Sequence, residues 1–149
     1  MKNEQLEAVL NDLGYDPHPD NKGKIGFTYE GSTYVLVQDP NDEELVSLCI
    51  RGLYENCDIF SDADAMVMCL DVARSFAFGK AVPLDRGENG SINVLFYTEA
   101  IVDNEAYFRK ILPKFLKTLR SMARFYMERL QNLGNLRHER AEEAKKNIN

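Results

Sequence analysis

The side chains of this 149-residue chain whose types could do chemistry are three cysteines, two histidines and a short run of aspartates. Cys49, Cys57 and Cys69 stand 8 and 12 positions apart, an odd number whose spacing fits neither a CxxC pair nor a disulfide framework. They read as reduced thiols in a cytoplasm, with Cys49 in a strand-like run and Cys69 on an apolar helix face, where free cysteine behaves as a small hydrophobe. Catalysis near neutral pH asks for a positioned histidine, a perturbed carboxylate or an activated nucleophile. His18 lies in a proline-flanked loop and His138 near the C-terminus, and neither stands in the pattern of a triad. No GxGxxG, Walker A, HExxH or zinc spacing occurs. The stretch "RGENGS" belongs to a hairpin turn and does not precede a helix, so it makes no phosphate cradle. Asp58, Asp62 and Asp64 lack the central glycine and terminal glutamate of a calcium loop, and Asp62 and Asp64 serve better as favourable charges in a first helical turn. The expectation is a non-enzymatic protein with no catalytic residue, cofactor or metal.

The other candidate chemistry is electrostatic. Arg109, Lys110, Lys114, Lys117, Arg120 and Arg124 recur on the polar side of the last helix as a basic strip. Residues 1–104 hold 7 basic against 19 acidic residues, a net of −12, while residues 105–149 hold 11 against 5, a net of +6. Such a strip attracts polyanions. The rest of the chain is acidic and no aromatic interleaves with these cations, so solvation or pairing with acidic protein surface is favoured and nucleic acid is not the expected partner. A regulatory domain binding a small ligand or nucleic acid through this helix is the alternative reading.

The elements that must position these groups follow from hydrophobic period. Leu6, Val9, Leu10 and Leu13 mark a first helix, capped by Asn3 and stopped at Gly14. Ile25, Phe27 and Tyr29, then "TYVLVQ", then "LVSLCIRGLY" give three antiparallel strands joined by short turns. Ser61 and Asp64 form a capping box that opens a second helix running to about Phe78, with Gly79 at its stop. Met66, Cys69, Leu70, Ala73, Phe76 and Ala77 form that helix's main stripe, while Met68 and Val72 project from its far side. Ala81, Val82 and Leu84 make a short strand that Pro83 confines to a sheet edge, and Ile92 to Thr98 returns beside it. A last helix begins near Asn104, with Phe108, Leu112, Phe115, Leu119, Met122, Tyr126, Leu130 and Leu133 on one face. Ile111, Leu116, Ala123 and Met127 widen that face to roughly 160°, more than one packing surface needs, and Pro113 is a site for a kink.

The fold class is therefore α+β, in the order α-β-β-β-α-β-β-α, with one antiparallel five-stranded sheet packed by helices. Residues 1–133 form a single domain and 134–149 a charged, disordered or frayed tail. Met68, Val72, Leu116 and Met127 exceed what a single core accounts for, and they are the predicted partner-binding or dimer surface. From the charged N-terminus and short apolar runs, neither an export signal of the usual kind nor a membrane span is expected.

"LNDLGY", "IGFTYEGSTYVLV" and "FGKAVPLDRGENGSINVLFYTEA", in this order of elements, resemble the type III secretion chaperone-like fold, in particular its YbjN-type branch, over residues 4 to 133. The resemblance implies a small acidic cytoplasmic protein, a homodimer, that binds a peptide segment or a protein partner and carries no catalytic motif.

Overall fold

A computed structural model of the chain describes residues 1–148. The helices are α1 (Asn3–Asp12), α2 (Asp62–Ser75) and α3 (Glu105–Lys146); the strands are β1 (His18–Pro19), β2 (Lys24–Tyr29), β3 (Ser32–Asp39), β4 (Asp42–Tyr54), β5 (Gly79–Pro83) and β6 (Ile92–Ile101). The strands form one sheet, antiparallel at every pairing, in the order β1-β2-β3-β4-β6-β5. It has six strands where five were expected. Pro17 and Pro19 hold the intervening backbone extended, and His18 and Pro19 pair with Gly26 and Ile25. Pro83 lies in β5, which is an edge strand, as its missing N–H requires.

Register sorts the side chains into two faces. Phe27, Tyr34, Ile50, Phe96 and Ala81 form one cross-strand row pointing inward, and Gly26, Val35, Cys49, Tyr97 and Lys80 the neighbouring row pointing outward. Helices cover the inner face, with α3 touching β4, β5, β6, α1 and α2. Its side chains Phe108, Leu112, Leu119, Met122 and Tyr126 join Leu6, Leu10, Phe27, Leu48 and Phe96 in one core. Among the described residues no helix covers the outer face.

Local chemistry sets the helix ends. Ser61 N–H donates to Asp64 Oδ2 at 2.8 Å and Asp64 N–H to Ser61 Oγ at 3.1 Å, the reciprocal capping box expected at α2. Tyr107 N–H donates to Asn104 Oδ1 at 2.8 Å at the start of α3. Asn3 is the first residue of α1 and not its cap; its side-chain amide donates to Gly23 O at 2.9 Å and ties the helix to the β1–β2 loop. α2 stops at Ser75, three residues earlier than expected, because Gly79 is already strand. A Cβ on Gly79 would run into the end of the Met122 side chain, which would have to shift, so glycine here lets Met122 pack directly on β5.

α3 is continuous through Pro113 and past Leu133 to Lys146. Pro113 sits on the solvent side, where the carbonyl it leaves unpaired can meet water. The expected break at 134 does not occur. The last three turns are rich in Arg, Glu, Ala and Lys, which favour helix without burial, and Arg137 reaches back to the domain: its guanidinium donates to both carboxylate oxygens of Asp64, at 2.8 and 2.9 Å.

Candidate interaction surfaces

Three of the four residues predicted to face a partner are inside the subunit. Met68 is 4% exposed, Val72 0% and Leu116 1%. Both helices were read as though each packed on one surface, whereas α3 lies over the sheet with α1 on one flank and α2 on the other. Its wide apolar face is consumed by those three contacts, and α2 is turned so that Ala65, Met68, Cys69 and Val72 meet α3 and β5. Tyr126 fixes this rotation: its ring stacks on Tyr54 at 5.2 Å and meets Phe96 edge-on at 5.7 Å, and its hydroxyl donates to Ala65 O at 3.3 Å.

The surplus apolar surface inferred from sequence is real but sits on the opposite side of α2. Met66, Val67 and Leu70 are 57%, 56% and 58% exposed. At spacings of one, three and four they share a face with Ala63 and Ala73. Met66 also borders a crevice with Pro83 and Leu84, so the patch continues onto the end of β5. Two stripes of similar apolarity run along this helix, and period alone could not say which turns inward.

Met127, the fourth predicted residue, is exposed. It lines an open groove of about 840 Å³ with Leu53, Ile59 and Phe60, between α3 and the loop after β4. On the outer face of the sheet, Val35, Val37, Cys49 and Leu95 line a second apolar trough beside Lys24 and Arg51.

The basic strip divides into two groups. Arg109 donates to Asp12 Oδ2 and Glu105 Oε1, each at 2.7 Å, and Arg120 pairs with Glu30 in the β2–β3 turn. Pairing with the domain's own acids therefore accounts for those two. Lys110, Lys114, Lys117 and Arg124 make no ion pair among the described residues, and Lys110, Lys114, Lys117 and Arg124 are all exposed.

The reactive side chains are not assembled into a centre. Burial pushes all three thiols up, Cys69 to about 11, so each is protonated at neutral pH. His18 Nε2 lies 3.1 Å from Asp16 Oδ2 with both side chains in solvent. Of the three aspartates weighed as a calcium loop, Asp64 is bound to Arg137 and the Ser61 amide, which hold its carboxyl well below the usual range. Among the described residues no group of three or more His, Cys, Asp and Glu gathers as for a metal, and no helix is long and apolar enough to cross a membrane. Arg86, with no counterpart in the sequence reading, donates to Phe60 O and Cys57 O at 2.7 Å and to Gly90 O at 3.0 Å, clamping the loop before α2 to the loop before β6.

This architecture defines a two-layer α+β domain with one face of an antiparallel sheet covered by helices. Its fold is that of YbjN. The crystal structure of YbjN, a candidate transcription regulator from E. coli, superposes with a TM-score of 0.63 over 80% of this chain and 87% of that one, at 8% sequence identity. No protein-family model and no curated protein matches the sequence.

Proposed function

We propose that this protein is a non-enzymatic interaction domain of the cytoplasm that works as a homodimer and binds a protein or peptide partner. The contact between copies is the outer face of α2 with the adjoining end of β5. The observation that carries this reading is the exposure of Met66, Val67 and Leu70 on a single helix face, a patch that water would otherwise have to cover. A second copy fits it by symmetry. Asp62 opens this face and Arg74 closes it, both exposed, so two α2 helices packed antiparallel about a two-fold axis set Asp62 of each copy against Arg74 of the other. The trough on the open sheet face then remains free for the partner segment.

Light scattering after size exclusion should give a mass twice 17.0 kDa. The double variant Met66→Asp, Leu70→Asp should run as a monomer, and Arg74→Asp should weaken the dimer until Asp62→Arg restores it. A wild-type monomer at high concentration, or a dimer indifferent to the double variant, overturns the proposal.

A further inference from the structure

We propose that the solvent face of α3 between Lys110 and Arg124 is a site for the phosphate backbone of double-stranded nucleic acid, read without regard to sequence. Lys110, Lys117 and Arg124 are seven residues apart, which places them on one line along the helix at intervals of about 10 Å, with Lys114 beside them. None of the four is engaged by an acid of the described chain, although the chain carries 24 acidic residues and has neutralised Arg109 and Arg120 on the same strip. Four cations left unpaired along about 21 Å of one helix face form an electrostatic rail, and charge complementarity calls for a linear polyanion.

The neighbours of the row decide between kinds of anion. Between Lys110 and Arg124 no large apolar side chain lies in line with the cations, Tyr107 standing one turn before the first of them, and protein–protein contacts need an apolar centre in which charges are sparse, so an acidic protein surface fits poorly. Single strands are held by stacking on aromatic rings interleaved with the cations, and the helix face between Lys110 and Arg124 interleaves none. A duplex needs neither. Tyr29 and Ser121 line a crevice of about 430 Å³ with Lys117, Arg120, Arg124 and Glu30, so two hydroxyl-bearing side chains adjoin the same stretch. The net charge of −6 does not forbid this, because at physiological salt charges more than about 8 Å away are largely screened.

The test is fluorescence anisotropy of the full chain with a labelled 20-base-pair DNA of mixed sequence, between 50 and 200 mM NaCl. Four phosphate contacts predict a slope of log K against log salt of about −3 to −4, and a loss of about a hundredfold over that range. Lys117→Gln should flatten the slope by about one and weaken binding to any sequence equally. Glu30→Gln, which frees Arg120, should steepen it by about one. The combined Lys110, Lys114, Lys117 and Arg124→Gln variant, all exposed positions, should keep its melting temperature and lose binding. The Met66→Asp, Leu70→Asp variant should keep the slope, since the rail does not depend on the dimer. Absence of binding at 50 mM NaCl, binding that survives in the combined variant, loss of binding only on Lys145→Gln with Lys146→Gln, or competition by poly-glutamate as strong as by unlabelled duplex would overturn the proposal.

Discussion

Arg86 carries more of the fold than its place in a turn between two strands suggests. One guanidinium satisfies the carbonyls of Cys57, Phe60 and Gly90, which come from both sides of α2 in the sequence, and Asp62 lies 3.7 Å away. Replacing it by Met keeps the aliphatic stem but leaves part-buried carbonyls unpaired. A loss of about 2–3 kcal/mol is expected in urea unfolding, with no change in the denaturant slope. Asp64 is a second such residue, serving as both half of a capping box and the acceptor for Arg137. The Arg137 guanidinium and the Ser61 amide lower its pKa on folding. A carboxylate depressed in this way adds stability that is fully present above about pH 4, its unfolded value, and that fades as pH falls below it. Asp64→Asn should therefore melt lower than wild type at pH 7, by roughly 2–4 °C for a loss of about 1 kcal/mol in a domain of this size. The gap should narrow as melting is repeated from pH 5 towards pH 2.

At the scale of elements, α3 is the axis of the molecule. Its first seven turns build the core, and its last three extend beyond the sheet while Arg137 ties them back through Asp64 and lies over the Phe60 ring at 5.6 Å. The boundary that matters is therefore Arg137 and not the end of the apolar period at Leu133. Truncation after His138 should leave the melting temperature within a degree of wild type. Truncation after Leu133 should lower it by about 2–4 °C, comparably to Asp64→Asn, because both remove the same tie; circular dichroism of the two truncations separates these outcomes. α2 has the opposite character. It is a short helix with two apolar stripes, one spent on α3 and β5 and one left in solvent, and the exposed stripe supports the proposed contact between copies.

Over the whole molecule, charge and grease are laid out on different sides. The helix layer presents the α2 patch at the β5 edge and the cationic row along α3, while the outer sheet face offers an apolar trough beside Lys24 and Arg51. If α2 is the dimer contact, the melting temperature should rise with protein concentration for the wild type and stay constant for Met66→Asp, Leu70→Asp, since association stabilises only the folded form. The fold is similar to that of YbjN at only 8% sequence identity.

Local signals in the sequence determined the α+β order of elements, the antiparallel hairpins, the edge position forced by Pro83, the capping box at Ser61 and the YbjN-type resemblance. These are consequences of chirality, sterics and period that act over a few residues. The same rules predicted that the helices carry more apolar surface than a single packing face consumes, and for α2 this held. They could not tell which of its stripes faces in, because Met66–Leu70 and Met68–Val72 are equally apolar and differ only in what stands opposite. That choice belongs to Tyr126 and Arg137, 61 and 73 residues along the chain from the α2 residues they bond, and such contacts exist only once α3 lies across the sheet. Likewise the sequence placed six cations on one strip, and only the folded chain brought Asp12 and Glu30 to two of them and left four facing solvent.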